Sequence, residues 1–194
     1  MLNDSEILSP PAALSVIERE TEALKFPMGS EAKTGSLLRT LAATKPGGAF
    51  LELGTGTGIG TAWILAGMDQ HARLTSIDND ATVMAVARRH LGHDPRVTFH
   101  TVDGAQFLAT LCGQQFDFIF ADTWPGKYDH LDEALSLLKP GGLYSIDDLL
   151  PQPSWPDGHA AKVTALIADL HHRADLLLTT LSWSSGLIVA TKRA

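Results

Sequence analysis

The sequence predicts an α/β fold: a doubly wound, mostly parallel sheet finished by an antiparallel β-hairpin. Three observations predict it. Apolar runs of strand length alternate with segments of helical periodicity. Each of five successive runs ends at or beside a carboxylate, as expected of strands whose carboxyl ends face a ligand crevice. The last two runs are separated only by Ser184-Ser185-Gly186, a turn and not a helix.

Two helices come first. One covers about residues 12–25 behind Pro10-Pro11. The other covers about 31–43, where Leu37, Leu38 and Leu41 share a face and Pro46-Gly47-Gly48 stops the helix. Ala49-Phe50-Leu51-Glu52-Leu53 is the first strand, followed by a Gly-rich turn and a helix over about 60–67. Residues 74–77 form the second strand, and the helix after it carries Val83, Val86, Ala87 and His90 at helical spacing. Residues 97–102 and 116–121 are the third and fourth strands. The next helix places Leu131, Ala134, Leu135 and Leu138 on one face and is ended by Pro140-Gly141-Gly142. Residues 143–146 make the fifth strand, and Val163, Leu166, Ile167 and Leu170 mark the last helix. Strands at 176–183 and 187–191 complete the hairpin. Strands alternating with helices imply right-handed crossovers and a sheet covered on both faces.

Composition sets the limits of function. The chain has 194 residues, 44% of them apolar, so a single domain over 1–194 with a substantial core is expected. The net charge of −7, from 15 basic and 22 acidic residues, argues against nucleic acid or an anionic membrane as main partner. No apolar stretch approaches the roughly 20 residues of a membrane helix, and Met1-Leu2-Asn3-Asp4-Ser5-Glu6 lacks the basic and apolar regions of a signal peptide. A cytoplasmic location is the expectation. Cys112 is the only cysteine, which excludes an internal disulfide and a cysteine-based zinc site.

The carboxylates at the strand ends are Glu52, Asp78, Asp103, Asp122 and the pair Asp147-Asp148. Any one of them can simply cap the following helix. All five positions together predict a crevice that prefers cations and hydrogen-bond donors. Glu52-Leu53-Gly54-Thr55-Gly56-Thr57-Gly58-Ile59-Gly60 lets backbone approach a ligand closely, yet no frame in it gives the G-x-G-x-x-G of a nicotinamide site. No Gly-Lys-Ser/Thr phosphate loop is present either. Asp78, about 20 residues past the glycines, is placed to accept both hydroxyls of a ribose. A positively charged adenosine ligand without pyrophosphate fits acids and glycines together, and S-adenosylmethionine has these properties.

Glu52-x-Gly54-x-Gly56-x-Gly58 resembles motif I of class I S-adenosylmethionine-dependent methyltransferases, whose Rossmann-like seven-stranded sheet also ends in a hairpin. More narrowly, the chain resembles the cation-dependent O-methyltransferases of the catechol and caffeoyl-CoA type. Met28-Gly29-Ser30-Glu31-Ala32-Lys33-Thr34-Gly35 resembles the segment those proteins place over the methionine moiety. Phe120-Ala121-Asp122-Thr123-Trp124 through Tyr128 resembles their fourth-strand metal motif, and Leu138-Lys139-Pro140-Gly141-Gly142 into Ile146-Asp147-Asp148 their fifth-strand motif. The resemblance implies O-methylation of a small-molecule acceptor such as a vicinal diol or catechol. It implies a cofactor set at Met28, Ser30, Glu52, Gly54, Thr55, Gly56, Gly58, Asp78, Asn79, Asp103, Gly104, Gln106 and Asp122, with Gln106 and Asp103 meeting the adenine. It also implies Asp122, Asp147 and Asp148 as oxygen ligands of a divalent cation such as Mg²⁺, and residues 1–45 as helices packing on or over the cofactor site. Relatives often pair, so a homodimer is an expectation, with Leu14, Ile17 and Leu24 as a contact stripe or as core.

Two departures stand beside this. Asp148 replaces the family's usual Asn, and Pro125 replaces its catalytic lysine. Lys127 and His159 are the candidates for a catalytic base. The Pro-rich segment 151–158 follows the fifth strand as a rim over the acceptor, with Trp124 and Trp155 flanking it. The residues leave open a metal-independent methyltransferase whose Asp147 and Asp148 bind the acceptor. They also leave open a catalytically silent adenosyl-ligand binding protein and, more remotely, an NAD-dependent oxidoreductase.

Overall fold

The structure, a computed structural model, describes residues 9–152 and 155–194. The reading of residues 1–6 as lacking a signal peptide, and Pro153-Ser154 of the rim segment, lie outside them. Two helices, α1 (Leu14–Ala23) and α2 (Ala32–Ala43), precede β1 (Ala49–Leu53). There follow α3 (Ile59–Gly67), β2 (Arg73–Asp78), α4 (Ala81–Leu91), β3 (Val97–Thr101), α5 (Gly104–Thr110) and β4 (Phe116–Ala121). The chain then forms α6 (Leu131–Ser136), β5 (Leu138–Ile146), α7 (His159–His172), β6 (Leu176–Leu181) and β7 (Leu187–Lys192). The strands make one seven-stranded sheet in the order β3-β2-β1-β4-β5-β7-β6. β1 to β5 pair parallel, and β7 inserts antiparallel between β5 and β6. The doubly wound, mostly parallel architecture expected from the sequence is therefore present.

The two faces of the sheet bury separate cores. Phe50, Trp63, Leu74, Met84 and Phe118 pack under α1 to α4, while Leu51, Ile119, Leu135, Tyr144 and Ile188 pack under α5 to α7. β1 contributes to both, which is why its apolar run is continuous and not alternating. Each fully buried large side chain contributes about 2 kcal/mol from lost water contact, so the central strands are held rigidly and their carboxyl ends are fixed points. Ile17 and Leu14 belong to the core, whereas Leu24 is exposed, which splits the stripe read from the sequence.

Three details differ from the sequence reading. α5 was foreshadowed only by Asp103, which caps it by accepting from the Gln106 N–H at 3.0 Å; at 7 residues it is too short to show periodicity. Leu138 does not belong to the helix before it. It opens β5 opposite Phe116, and the four residues 139–142 bulge out before pairing resumes at Leu143 opposite Phe118. Proline has no N–H to give a ladder, so Pro140 sits in that bulge. His159 is the first residue of α7, which starts one turn ahead of the Val163 that first marks this helix in the sequence. Among the described residues no helix is long and apolar enough to cross a membrane.

Candidate active site

The carboxyl ends of β1, β2, β4 and β5 open into one cavity of ≈ 530 Å³, and a second of ≈ 480 Å³ adjoins it along Gly54, Asp78, Asn79, Thr123 and Trp124. The glycine loop forms the wall between them. Gly54 has φ +103, and a Cβ there would lie 2.8 Å from the Asp122 carbonyl oxygen, so only glycine lets the β1 and β4 ends approach. Gly56 at φ +52 donates its N–H to Asp78 Oδ2 at 2.7 Å, and Asp80 N–H donates to Asp78 Oδ1 at 2.9 Å. Asp78 is thus held at the junction of the two cavities with lone pairs left on both oxygens. Asn79 lines both cavities; Asp103 and Gly104 line the smaller one. Gln106 is exposed and lines neither. Gly58 supports helix packing: a Cβ would meet Ala87 Cβ at 2.8 Å.

Phe26, Met28, Ser30 and Glu31, between α1 and α2, cover the larger cavity, together with Thr55 and Gly56. The cover is tied down twice. Ser30 Oγ donates to Asp122 Oδ2 at 3.2 Å, and the Ser184 hydroxyl donates to Glu31.

Glu52 lies beneath the loop, wholly buried, and lines neither cavity. Its Oε2 accepts from Thr61 and Ser76 hydroxyls, each at 2.5 Å, while Oε1 has no partner. Burial pushes its carboxyl up to about 7. Because the folded value exceeds the unfolded one, its contribution to stability is full below the unfolded value and is lost as pH rises through the folded one. Glu52→Gln is therefore expected to melt higher than the parent at pH 8 by an amount worth up to about 3 kcal/mol, and alike below about pH 4. Thermal melts across that range check it; a gap independent of pH would remove the titration as its cause.

The opposite side of the cavity carries Asp122, Asp147, Asp148 and Lys127. Burial, reinforced by Asp147, raises the Asp122 carboxyl well above its usual range, with the Lys127 charge opposing. Burial raises Asp147 to about 6. Asp147 Oδ1 accepts from Asp148 N–H at 2.8 Å and from the Ser185 hydroxyl. Asp148 itself is in the left-handed region, φ 61. Lys127 is only 4% exposed. It sits in a turn pinned by the N–H groups of Lys127, Tyr128 and Asp129 on the Trp124 carbonyl, and the Tyr144 hydroxyl donates to the Gly126 carbonyl inside the same turn. Pro125 packs against the start of α5, where a Cβ on Gly104 would meet it at 2.9 Å.

Aromatic rings line the outer end. Trp124, Tyr128 and Trp155 surround His159 with ring centroids 6.2, 5.1 and 4.6 Å from the imidazole. His159 Nε2 lies 3.1 Å from the Tyr128 hydroxyl, and its Nδ1 is buried with no partner. Burial first, then the Lys127 charge, lower the pKa of His159 below the ordinary imidazole value, which favours the neutral ring. Burial lifts the Tyr128 phenol to about 12, so it remains a donor at neutral pH.

The three aspartates do not fit a preformed divalent-cation site. Among the described residues no three or more His, Cys, Asp or Glu side chains group closely enough to hold a metal ion. Asp147 Oδ1 is already engaged by two donors, and a lysine shares the cavity with the carboxylates. Sequence reasoning missed Ser185, which fixes Asp147, and Phe26, which lines the cavity, and it gave Tyr128 no role of its own. Only the hairpin register, Ile146 opposite Ile188, brings Ser185 beside the end of β5.

Known proteins share this architecture. A family described as a methyltransferase domain matches residues 51–149. A protein of Mycobacterium avium, provisionally named an O-methyltransferase, is 33% identical over 117 residues, covering 58% of this chain and 53% of that protein. The chain thus spans about half the length of the curated relatives it matches. The O-methyltransferase TomG of Streptomyces achromogenes, solved with S-adenosylmethionine, superposes with a TM-score of 0.84 at 23% identity over 98% of this chain and 94% of TomG. A Klebsiella pneumoniae protein, also provisionally named an O-methyltransferase, gives 0.83 at 25% identity over 97% of this chain and 93% of its own.

Proposed function

Because the chain belongs to the methyltransferase domain family, we propose that it moves a methyl group from S-adenosylmethionine to an oxygen of a small, flat acceptor. One observation carries the reading: the glycine loop with Asp78 and the acidic, aromatic-walled acceptor end share a single cavity. The two adjoining cavities fit an adenosyl ligand, with Asp78 at the junction to accept ribose hydroxyls and Gly54 leaving room for the backbone to approach. The same reading takes residues 1–194 as one domain and 1–45 as its cover.

S-adenosylmethionine supplies an electrophilic methyl on a sulfonium. The acceptor hydroxyl oxygen forms the new C–O bond as the S–CH₃ bond breaks, and that electron pair stays on sulfur as S-adenosylhomocysteine. The hydroxyl proton passes to Tyr128 oxygen as the phenol gives its own to His159 Nε2, 3.1 Å away, and the imidazolium then releases it to water. Trp124 and Trp155 hold the acceptor ring flat, and closure by the segment around Ser30 excludes water.

Asp78→Ala is expected to weaken S-adenosylhomocysteine binding at least about tenfold, or 1.4 kcal/mol. Calorimetry on parent and variant checks it, with methyl transfer scored on a panel of phenols and catechols. Parent protein that binds no S-adenosylhomocysteine would sink the reading. Binding without turnover across the panel would favour a silent adenosyl-binding protein.

A further inference from the structure

We propose that Lys127 is the resident cation of the acceptor site, doing with its ammonium what a divalent metal would otherwise do: it neutralises the carboxylate group of Asp122, Asp147 and Asp148 and holds the acceptor's ionising oxygen. The inference rests on the methyl-transfer reading above. Lys127 is 4% exposed, lines the same cavity as the three aspartates and has, among the described residues, no side-chain hydrogen bond or ion pair, while its Nζ lies 5.6 Å from the centre of the Tyr128 ring. The stem is buried, but Nζ is not among the sealed polar atoms without a partner, so the ammonium faces the cavity, where an acceptor oxygen can meet it. The turn 124–129 fixes its backbone, and Tyr144 and Leu53 pack so closely on Gly126 that no side chain fits there.

With Lys127 in place, the acidic groups present no ready metal site. Asp147 Oδ1 takes two protein donors, Asp122 Oδ2 takes Ser30, and no three carboxylates converge among the described residues. The carboxyl groups outnumber the ammonium three to one, so the acidic end can still face a sulfonium donor. An oxygen that binds Lys127 gains negative charge where the ammonium already stands, so its ionisation is favoured without displacement of a hydrated ion.

The test uses the full chain saturated with S-adenosylhomocysteine. Mn²⁺ titration followed by electron paramagnetic resonance is expected to find no site tighter than about 1 mM in the parent. Lys127→Met should gain one at least tenfold tighter, since the carboxylates lose their resident charge. A micromolar Mn²⁺ site in the parent, or no gain in Lys127→Met, overturns the proposal. The second readout is 4-nitrophenol, whose yellow band marks its anion. At pH 6 the parent should draw bound probe to the anion, Lys127→Arg should keep the band and Lys127→Met should lose it. An equal band in Lys127→Met, or none in the parent, also overturns it. If S-adenosylhomocysteine fails to bind in a separate calorimetric titration, the methyl-transfer reading fails instead; the Mn²⁺ comparison, repeated without it, still decides the role of Lys127.

Discussion

Asp122→Asn is expected to lower methyl transfer about 100- to 1,000-fold while leaving S-adenosylhomocysteine affinity within about threefold. The carboxylate lies at the end of β4 between the cover segment, through Ser30, and the acidic group with Lys127. An asparagine oxygen can still accept from Ser30, so the cover stays closed; what disappears is one negative charge at the acceptor end. The same change should stabilise the fold. Burial and Asp147 raise the Asp122 carboxyl above its unfolded value, so its favourable contribution is present at low pH and lost as pH rises through the raised value. The variant should therefore melt higher than the parent at pH 8 and about the same below pH 4. Melts and turnover measured on one preparation check both halves. A variant that is inactive and also less stable at pH 8 would show a structural role instead.

Gly35→Ala is expected to destabilise the protein by about 3 kcal/mol or more. A Cβ at this position would lie 2.1 Å from Cδ1 of Trp63, which α3 contributes and which is completely buried. The clash falls on a rigid ring, and the other end of the same helix pair is equally close, since a Cβ on Gly67 would lie 2.1 Å from the Arg39 carbonyl oxygen. Urea denaturation measures the loss. The double variant Gly35→Ala, Trp63→Leu should recover part of it, because the smaller side chain vacates the space. If the two changes simply add, the contact is not the source of the loss.

The strands and their terminal acids were legible because buried parallel strands must be apolar along their whole length, so a carboxylate after such a run stands out. Asp78, Asp122, Asp147 and Asp148 were found in this way, and all four line the cavity. Glu52 obeyed the same pattern yet is sealed under the loop by Thr61 and Ser76, since residues within a strand alternate in direction and their accessibility is decided by the helix above. Lys127 could be named but not placed: a lysine after Pro125-Gly126 reads as exposed, and its burial goes with long-range contacts to the turn, such as Tyr144 on Gly126, that local sequence does not reveal. α5 and the early start of β5 escaped because short helices and bulged strands carry too few residues for a period to emerge. Ser185 escaped because its partner is 38 residues away in sequence.

That distance has a consequence for how the protein comes to exist during synthesis. β5 reaches the ribosome exit well before β7, which must slide in between β5 and β6 to complete the sheet. The Ser185 contact to Asp147 and the Ser184 contact to Glu31, the latter spanning 153 residues, form only with that insertion. A nascent chain can therefore assemble the β1 to β4 half, with its glycine loop, while the acceptor end is still open. Binding competence for the donor should appear on the growing chain before catalytic competence does, and the slowest event in maturation should be the docking of the final hairpin.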